Sequence, residues 1–211
     1  MKSNKREVIL TTAICLLPIL AGAALWNRLP ETIATHFGFS GEANGWSSRA
    51  FTVFGLPAMM AGFNLLLHFG LGTDPKKQNM SPVLRTICIW IIPVLTVLLY
   101  ALTLGNALGY ATHIETVIPL LMGVLFVVIG NYLPKTKQSY TMGIKLPWTL
   151  ASEENWNRTH RLAGFLWVLG GAAFIALTLL NAWNLWVFLT VLVVMVFVPT
   201  VYSYLLYRKG I

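Results

Sequence analysis

Glu153, Trp156 and His160 stand three and four residues apart, which sets them on one face if the stretch is helical. A carboxylate and an imidazole on one face are the parts of general acid and base chemistry. The neighbouring pairs, Glu154 with Arg158 and Asn157 with Arg161, have the i to i+4 spacing that supports a helix without doing chemistry. Pro147 followed by Thr149 or Ser152 gives a helix start, and Glu153 and Glu154 fill a first turn, where the helix dipole favours negative charge. The helix is therefore expected to run unbroken into the apolar segment that follows. Such features describe a capped interfacial helix with a Trp anchor as well as they describe a site. The other titratable groups do not assemble into a known constellation. His36, His68, His113 and His160 are scattered, Cys15 and Cys88 are not in a C-x-x-C pair, and no H-E-x-x-H, G-x-S-x-G or P-loop pattern is present. The chain is read as a non-enzyme that needs no metal or other cofactor, and an enzymatic alternative would rest on Glu153 and His160.

Two further groups hold polar residues. Asn64 and His68 lie one turn apart inside an apolar segment, where an interhelical hydrogen-bond pair is the simpler reading and a proton relay the other. The stretch "NRLPETIATHFGFSGEANGWSSRAF" carries Pro30, the turn signals Ser40-Gly41 and Asn44-Gly45, and interleaved aromatics, which predict a short ordered hairpin-like cap. Trp26, Phe37, Phe39 and Trp46 suit the headgroup level of a bilayer. His36, Glu42 and Arg49 are its candidate ligand contacts. A sealing lid and a binding loop are both consistent with these residues.

The elements that must position these groups are set by composition. With 56% hydrophobic and 10% charged residues in 211, the chain carries more apolar surface than a soluble core of this length can hide. A bilayer accepts it as helices of about 20 apolar residues with their backbone bonds closed internally. Six segments have the length, approximately 8–26, 51–71, 87–104, 116–132, 162–180 and 186–204, and the runs are continuous rather than alternating, so strands are excluded. The fold class is thus an all-α integral membrane protein, a bundle of six transmembrane helices. Lys2, Lys5, Arg6, Lys76, Lys77, Arg85, Lys135, Lys137, Lys145, Arg158, Arg161, Arg208 and Lys209 all fall on the side of the N-terminus, and only Arg28 and Arg49 lie opposite. The positive-inside rule then places both termini in the cytoplasm. The net charge of +8 belongs to the face that meets anionic lipid and not to a nucleic-acid surface. The basic start, the apolar run and Ala21-Gly22-Ala23 imitate a secretory signal, but the run is too long and continues to Trp26, so it is read as the first membrane helix. One membrane domain divides into 1–71 with an extracellular loop at 27–50, 72–133, and 134–211 with a cytoplasmic element at 134–161. Gly123 and Gly130 in the fourth segment and Gly164 and Gly171 in the fifth are small residues suited to close helix packing.

The stretch "GNYLPKTKQSYTMGIKLPWTLASEENWNRTHRLAG" resembles the signature of the SdpI-like bacterial membrane proteins. The matching positions are Gly130, Asn131, Pro134, Lys135, Lys137, Gly143, Ile144, Pro147, Trp148, Thr149, Leu150, Trp156, Thr159, His160, Arg161 and Gly164. Leu29, Pro30, His36, Phe37, Gly41, Trp46 and Arg49 similarly resemble the outer-loop domain of uncharacterised function that often precedes that signature. Lys145 and Leu146 depart from it, standing where Arg and Thr are usual, and Lys supplies a point charge instead of a bidentate fork. The resemblance implies immunity against a secreted membrane-active peptide toxin in the bacterial cell membrane. It further implies signalling through a cytoplasmic repressor protein held at the membrane, with membrane lipids and the toxin as the other partners and no direct contact with nucleic acid. A small transporter or flippase for lipids or cationic amphiphiles is the alternative.

Overall fold

The computed structural model describes residues 4–211, so Lys2, one of the cations assigned to the N-terminal side, lies outside the described residues. The chain runs through helix α1 (Lys5–Ala24), strands β1 (Thr32–Phe37) and β2 (Ala43–Ser48), and a π-helical turn (Phe51–Gly55) that leads into α2 (Leu56–Thr73). It continues as α3 (Pro82–Ala107), α4 (Ile114–Tyr132), a short α5 (Pro147–Ala151), α6 (Glu153–Leu179) and α7 (Leu185–Arg208). Among the described residues six helical segments, Lys5–Ala24, Phe51–Thr73, Pro82–Ala107, Ile114–Lys135, Glu153–Leu179 and Leu185–Arg208, are long and apolar enough to cross a membrane. Their exposed side chains say the same. Val193, Val194, Val196, Phe197, Val198 and Val201 all face outward from α7, a surface suited to lipid and not to water.

The chain forms two compact units. The first joins the segment up to Thr73 with Arg85–Ile114. In it α1 and α2 are tied by side chains that would otherwise be costly in hydrocarbon: Asn64 Nδ2 donates to Thr11 Oγ1 and Thr12 Oγ1, each at 3.0 Å, and His68 Nε2 lies 2.9 Å from Thr11 Oγ1. The Thr11 hydroxyl proton goes to the Glu7 carbonyl at 2.8 Å, which leaves His68 Nε2 as the donor. The expected hydrogen-bond pair of Asn64 and His68 is therefore present between helices. Glu7 also pairs with Arg85 of α3. At the other end Leu29, Ile33, Val53, Tyr100 and Leu104 form an apolar cluster that seats the hairpin on the helix ends.

The second unit joins Asp74–Leu84 with Glu115–Ile211. The glycines singled out for close packing meet in reciprocal pairs. A Cβ on Gly123 would lie 2.8 Å from the Gly171 carbonyl, and one on Gly130 would lie 2.9 Å from that of Gly164. The seam between α4 and α6 thus repeats every seven residues in antiparallel register, with backbone against backbone. One expectation is corrected here. The helix does not run unbroken from Pro147: Ser152 is extended (φ −122°, ψ 122°), closes α5 and caps α6 by accepting from Asn155 N–H at 3.2 Å. Of the two i to i+4 pairs, Glu154 with Arg158 closes at 2.5 Å, whereas Asn157 and Arg161 are both exposed.

Candidate functional site: an ordered cap on the signature segment

The residues between α4 and α6 fold into a cap built around His160 and Trp156, neither of which is exposed. Gly143 has φ +95°, a conformation that L side chains avoid, and a Cβ there would fall 2.5 Å from His160 Nε2 and 2.8 Å from the Trp156 ring. That close approach lets Ile144 N–H donate to His160 Nε2 at 2.8 Å. The other ring nitrogen, Nδ1, lies 2.8 Å from the Trp156 carbonyl. An amide can only donate and a carbonyl can only accept, so the imidazole is the neutral Nδ1–H tautomer. Both nitrogens are committed to backbone. His160 stacks on Trp156 with centroids 4.0 Å apart, and Trp156 Nε1 donates to the Thr136 carbonyl at 2.8 Å.

The Pro-Trp-Thr run has a similar local logic. Pro147 occupies the first position of α5, where its missing N–H is no loss. Thr149 Oγ1 accepts from Leu146 N–H at 2.9 Å and lies 2.8 Å from the Ile144 carbonyl, tying the start of α5 to the Gly143 turn. Trp148 packs against Tyr207 and Tyr204 of α7, with centroids at 5.8 and 5.6 Å. Thr159 Oγ1 donates to Asn155 Oδ1 at 3.1 Å, which also accepts from the Ser203 hydroxyl at 2.6 Å. Asn155 Nδ2 donates to the Ser203 and Ile211 carbonyls at 3.0 and 3.1 Å. α6 is thereby fastened to α7 through a buried amide.

Gly143, Pro147, Thr149, Trp156, Thr159 and His160 are thus brought into one assembly with Asn155. Other signature residues stay on its surface. Asn131, Lys135, Lys137, Lys145, Glu153 and Arg161 are exposed. Lys135 Nζ lies 4.7 Å from the Tyr132 ring, and Lys145 Nζ donates to the Thr141 carbonyl at 3.3 Å. Glu153 is exposed in the first turn of α6 while His160 is sealed, so the shared helix face does not become a shared site.

Sequence reasoning missed a buried carboxylate that takes four donors. Asp74, 3% exposed, accepts from Ser139 Oγ at 2.6 Å, Tyr140 N at 3.0 Å and Thr141 N at 2.9 Å through Oδ2, and from Lys76 N at 2.7 Å through Oδ1. Burial works to raise its pKa, but the Ser139 hydroxyl and the Lys76 and Thr141 donors outweigh it and hold the carboxyl below its ordinary value. Asp before Pro after an apolar run is an Asx-turn signal. Its partners are 65 to 67 residues away and left no local trace.

The hairpin is the second ordered polar element. β1 and β2 pair antiparallel, with Ile33 opposite Ser47, Ala34 opposite Trp46 and an irregularity around Thr35. Ile33 is 1% exposed in the apolar cluster, so strand alternation turns the neighbouring Trp46, 60% exposed, to the opposite face. His36 Nδ1 pairs with Asn44 Oδ1. The Ser40 hydroxyl donates to Glu42 and holds its carboxyl below the usual range. Arg49 Nη1 donates to the Trp26 carbonyl at 2.9 Å with its guanidinium 5.0 Å from the Trp26 ring, so Arg49 anchors the hairpin base. Pro30 is exposed and Phe37 half-buried at the two ends of β1.

Six apolar helices carrying an ordered polar cap define a multi-pass membrane protein, and comparisons with known proteins place it more closely. Residues 135–203 match the model of the SdpI/YfhL protein family, and residues 13–61 match a domain of unknown function, DUF1648. The chain is 26% identical over 206 residues to "Immunity protein SdpI" of Bacillus subtilis (strain 168), an alignment that covers 97% of both chains. The two segments that its sequence singled out overlap these two matches, the inner one the SdpI/YfhL model and the outer one DUF1648. No solved structure matches it.

Proposed function

We propose that this chain is an immunity protein of a bacterial cytoplasmic membrane that protects its cell from a secreted membrane-active peptide. The observation that carries the reading is the similarity, along 97% of both chains, to a protein named for immunity. The distribution of Lys and Arg supports placing both ends of the chain and the cap in the cytoplasm, with the hairpin outside. On that side an exposed indole on an ordered strand suits recognition, because Trp gives large contact area at small entropic cost. His36, Phe37 and Glu42 stand on the same hairpin, Arg49 anchors its base and Pro30 precedes β1. The cap, with its exposed Lys135, Lys137, Lys145 and Arg161, reports the state of the helices to a cytoplasmic repressor protein. That signal requires the peptide to bind one of two helix arrangements more tightly than the other.

The test replaces Trp46 with Ala in cells that depend on this protein for survival beside a peptide-secreting strain. Protection falls while membrane levels of the protein stay constant. Undiminished protection removes the hairpin from the account. A transporter or flippase for lipids or cationic amphiphiles is the second reading, favoured by the buried Asn64 of a membrane-length helix, whose Oδ1 has no donor among the described residues. Purified protein in liposomes decides between them, since a receptor moves no labelled lipid.

A further inference from the structure

The matched segments end at Ala61 on one side and begin at Lys135 on the other, and the α2–α3 loop lies in neither. Three of its side chains nevertheless reach the cap. Asp74 binds the Ser139–Thr141 turn through four donors counting its own Asx bond to Lys76. Lys76 Nζ donates to Gln138 Oε1 at 2.6 Å, and Asn79 Nδ2 donates to the Gln138 carbonyl at 2.8 Å. Gln138 in turn donates through Nε2 to the Thr149 carbonyl at 2.9 Å. Two residues past the Asp74 bonds comes Gly143, whose turn delivers the Ile144 amide to His160. The Ser139 hydroxyl, pointed by Asp74, also accepts from Thr141 N and Met142 N, each at 3.1 Å, which carries the order one residue closer to that glycine.

We propose that the α2–α3 loop is a working part of the cap and that Asp74 is the positioning residue that holds the Ser139–Ile144 turn where His160 can accept from Ile144 N–H. The chemistry explains why a carboxylate stands there. A charged acceptor takes several amide and hydroxyl donors at once, and each bond is stronger than one between neutral groups. An amide side chain of the same shape would present its NH2 to some of these donors and lose bonds. The functional weight given to the cap rests on the immunity reading, while the positioning role stands on geometry alone.

The experiment uses the full chain in lipid nanodiscs and follows two signals. Hydrogen exchange reads the amides of Tyr140, Thr141 and Ile144, and nitrogen-15 shifts of the His160 ring read its tautomer. Asp74→Asn is expected to speed exchange at all three amides by about tenfold or more and to turn the single Nδ1–H tautomer into a mixture. Amides in the middle of α6 stay protected. Ser139→Ala removes one of the four donors to Asp74 together with the acceptor for Thr141 N and Met142 N, and gives a change of the same kind at Ile144, which keeps the test open if Asp74→Asn does not fold. Asp74→Glu, which keeps the charge, restores part of the protection. Faster exchange at Tyr140 and Thr141 with Ile144 and the His160 tautomer unchanged overturns the proposal, since Asp74 would then pin only its own turn. Neither signal involves a toxin, so a native protein that fails to protect cells refutes the immunity reading and leaves this result standing.

Discussion

Replacing Gly143 with Ala tests whether the cap is built on the close approach seen at that residue. Two costs add. The backbone at φ +95° strains any L side chain by about 1–2 kcal/mol. The new methyl, 2.5 Å from His160 Nε2, pushes the Ile144 amide off the ring and leaves a buried acceptor without its donor, which costs about 1–3 kcal/mol more. The total of about 2–5 kcal/mol corresponds to a roughly 30-fold to several-thousand-fold rise in opening of the turn. Hydrogen exchange at the Ile144 amide, in nanodiscs at fixed pH, reads that rise directly. Gly109→Ala is the control, because Gly109 has φ +84° with nothing within 4 Å of the added Cβ and therefore carries the backbone cost alone. Equal effects of the two substitutions on their own turns would refute the steric part of the reasoning.

The glycine seam gives a second comparison. Gly171→Ala sets a methyl 2.5 Å from the Gly123 carbonyl and forces α4 from α6, so it lowers the unfolding temperature in detergent, whereas Gly62→Ala meets nothing within 4 Å and stabilises α2 by about 0.5–1 kcal/mol. Acid should loosen the cap through Asp74. Its carboxyl is held below the ordinary value of 3.8, so its contribution is complete above that value and is lost as pH falls through the lower folded one. Exchange at Thr141, corrected for intrinsic rates, stays level from neutral pH down to about 4 and rises below it. Arg49→Lys keeps the charge but loses the planar stacking on Trp26, weakening the hairpin base by about 1 kcal/mol, as limited proteolysis within residues 31–49 will report.

Much of this architecture was legible because hydrophobic length is a local signal. The six segments, the Asn64–His68 pair, the small-residue faces at Gly123, Gly130, Gly164 and Gly171, and the turn-bounded hairpin each follow from residues near one another in sequence or on one helix face, whereas which glycines meet does not. The break at Ser152 was harder to read. Pro147, Thr149 and Ser152 all signal a helix start, and only tertiary contacts decide that two starts are used in succession. The burial of His160 was likewise hidden, because spacing showed that it shares a face with Glu153 but not that Gly143 folds back over it. Asp74 was invisible for the same reason in stronger form. Its role is set by a turn more than 60 residues away, and no periodicity encodes that distance.

The central claim is protection, and survival measures it most directly. Cells with and without the gene, grown beside a strain that secretes a membrane-active peptide, should differ in survival, with the gene reintroduced on a plasmid restoring resistance and its Trp46→Ala form restoring less. Equal sensitivity of the two strains to every co-produced and neighbouring peptide would contradict the account.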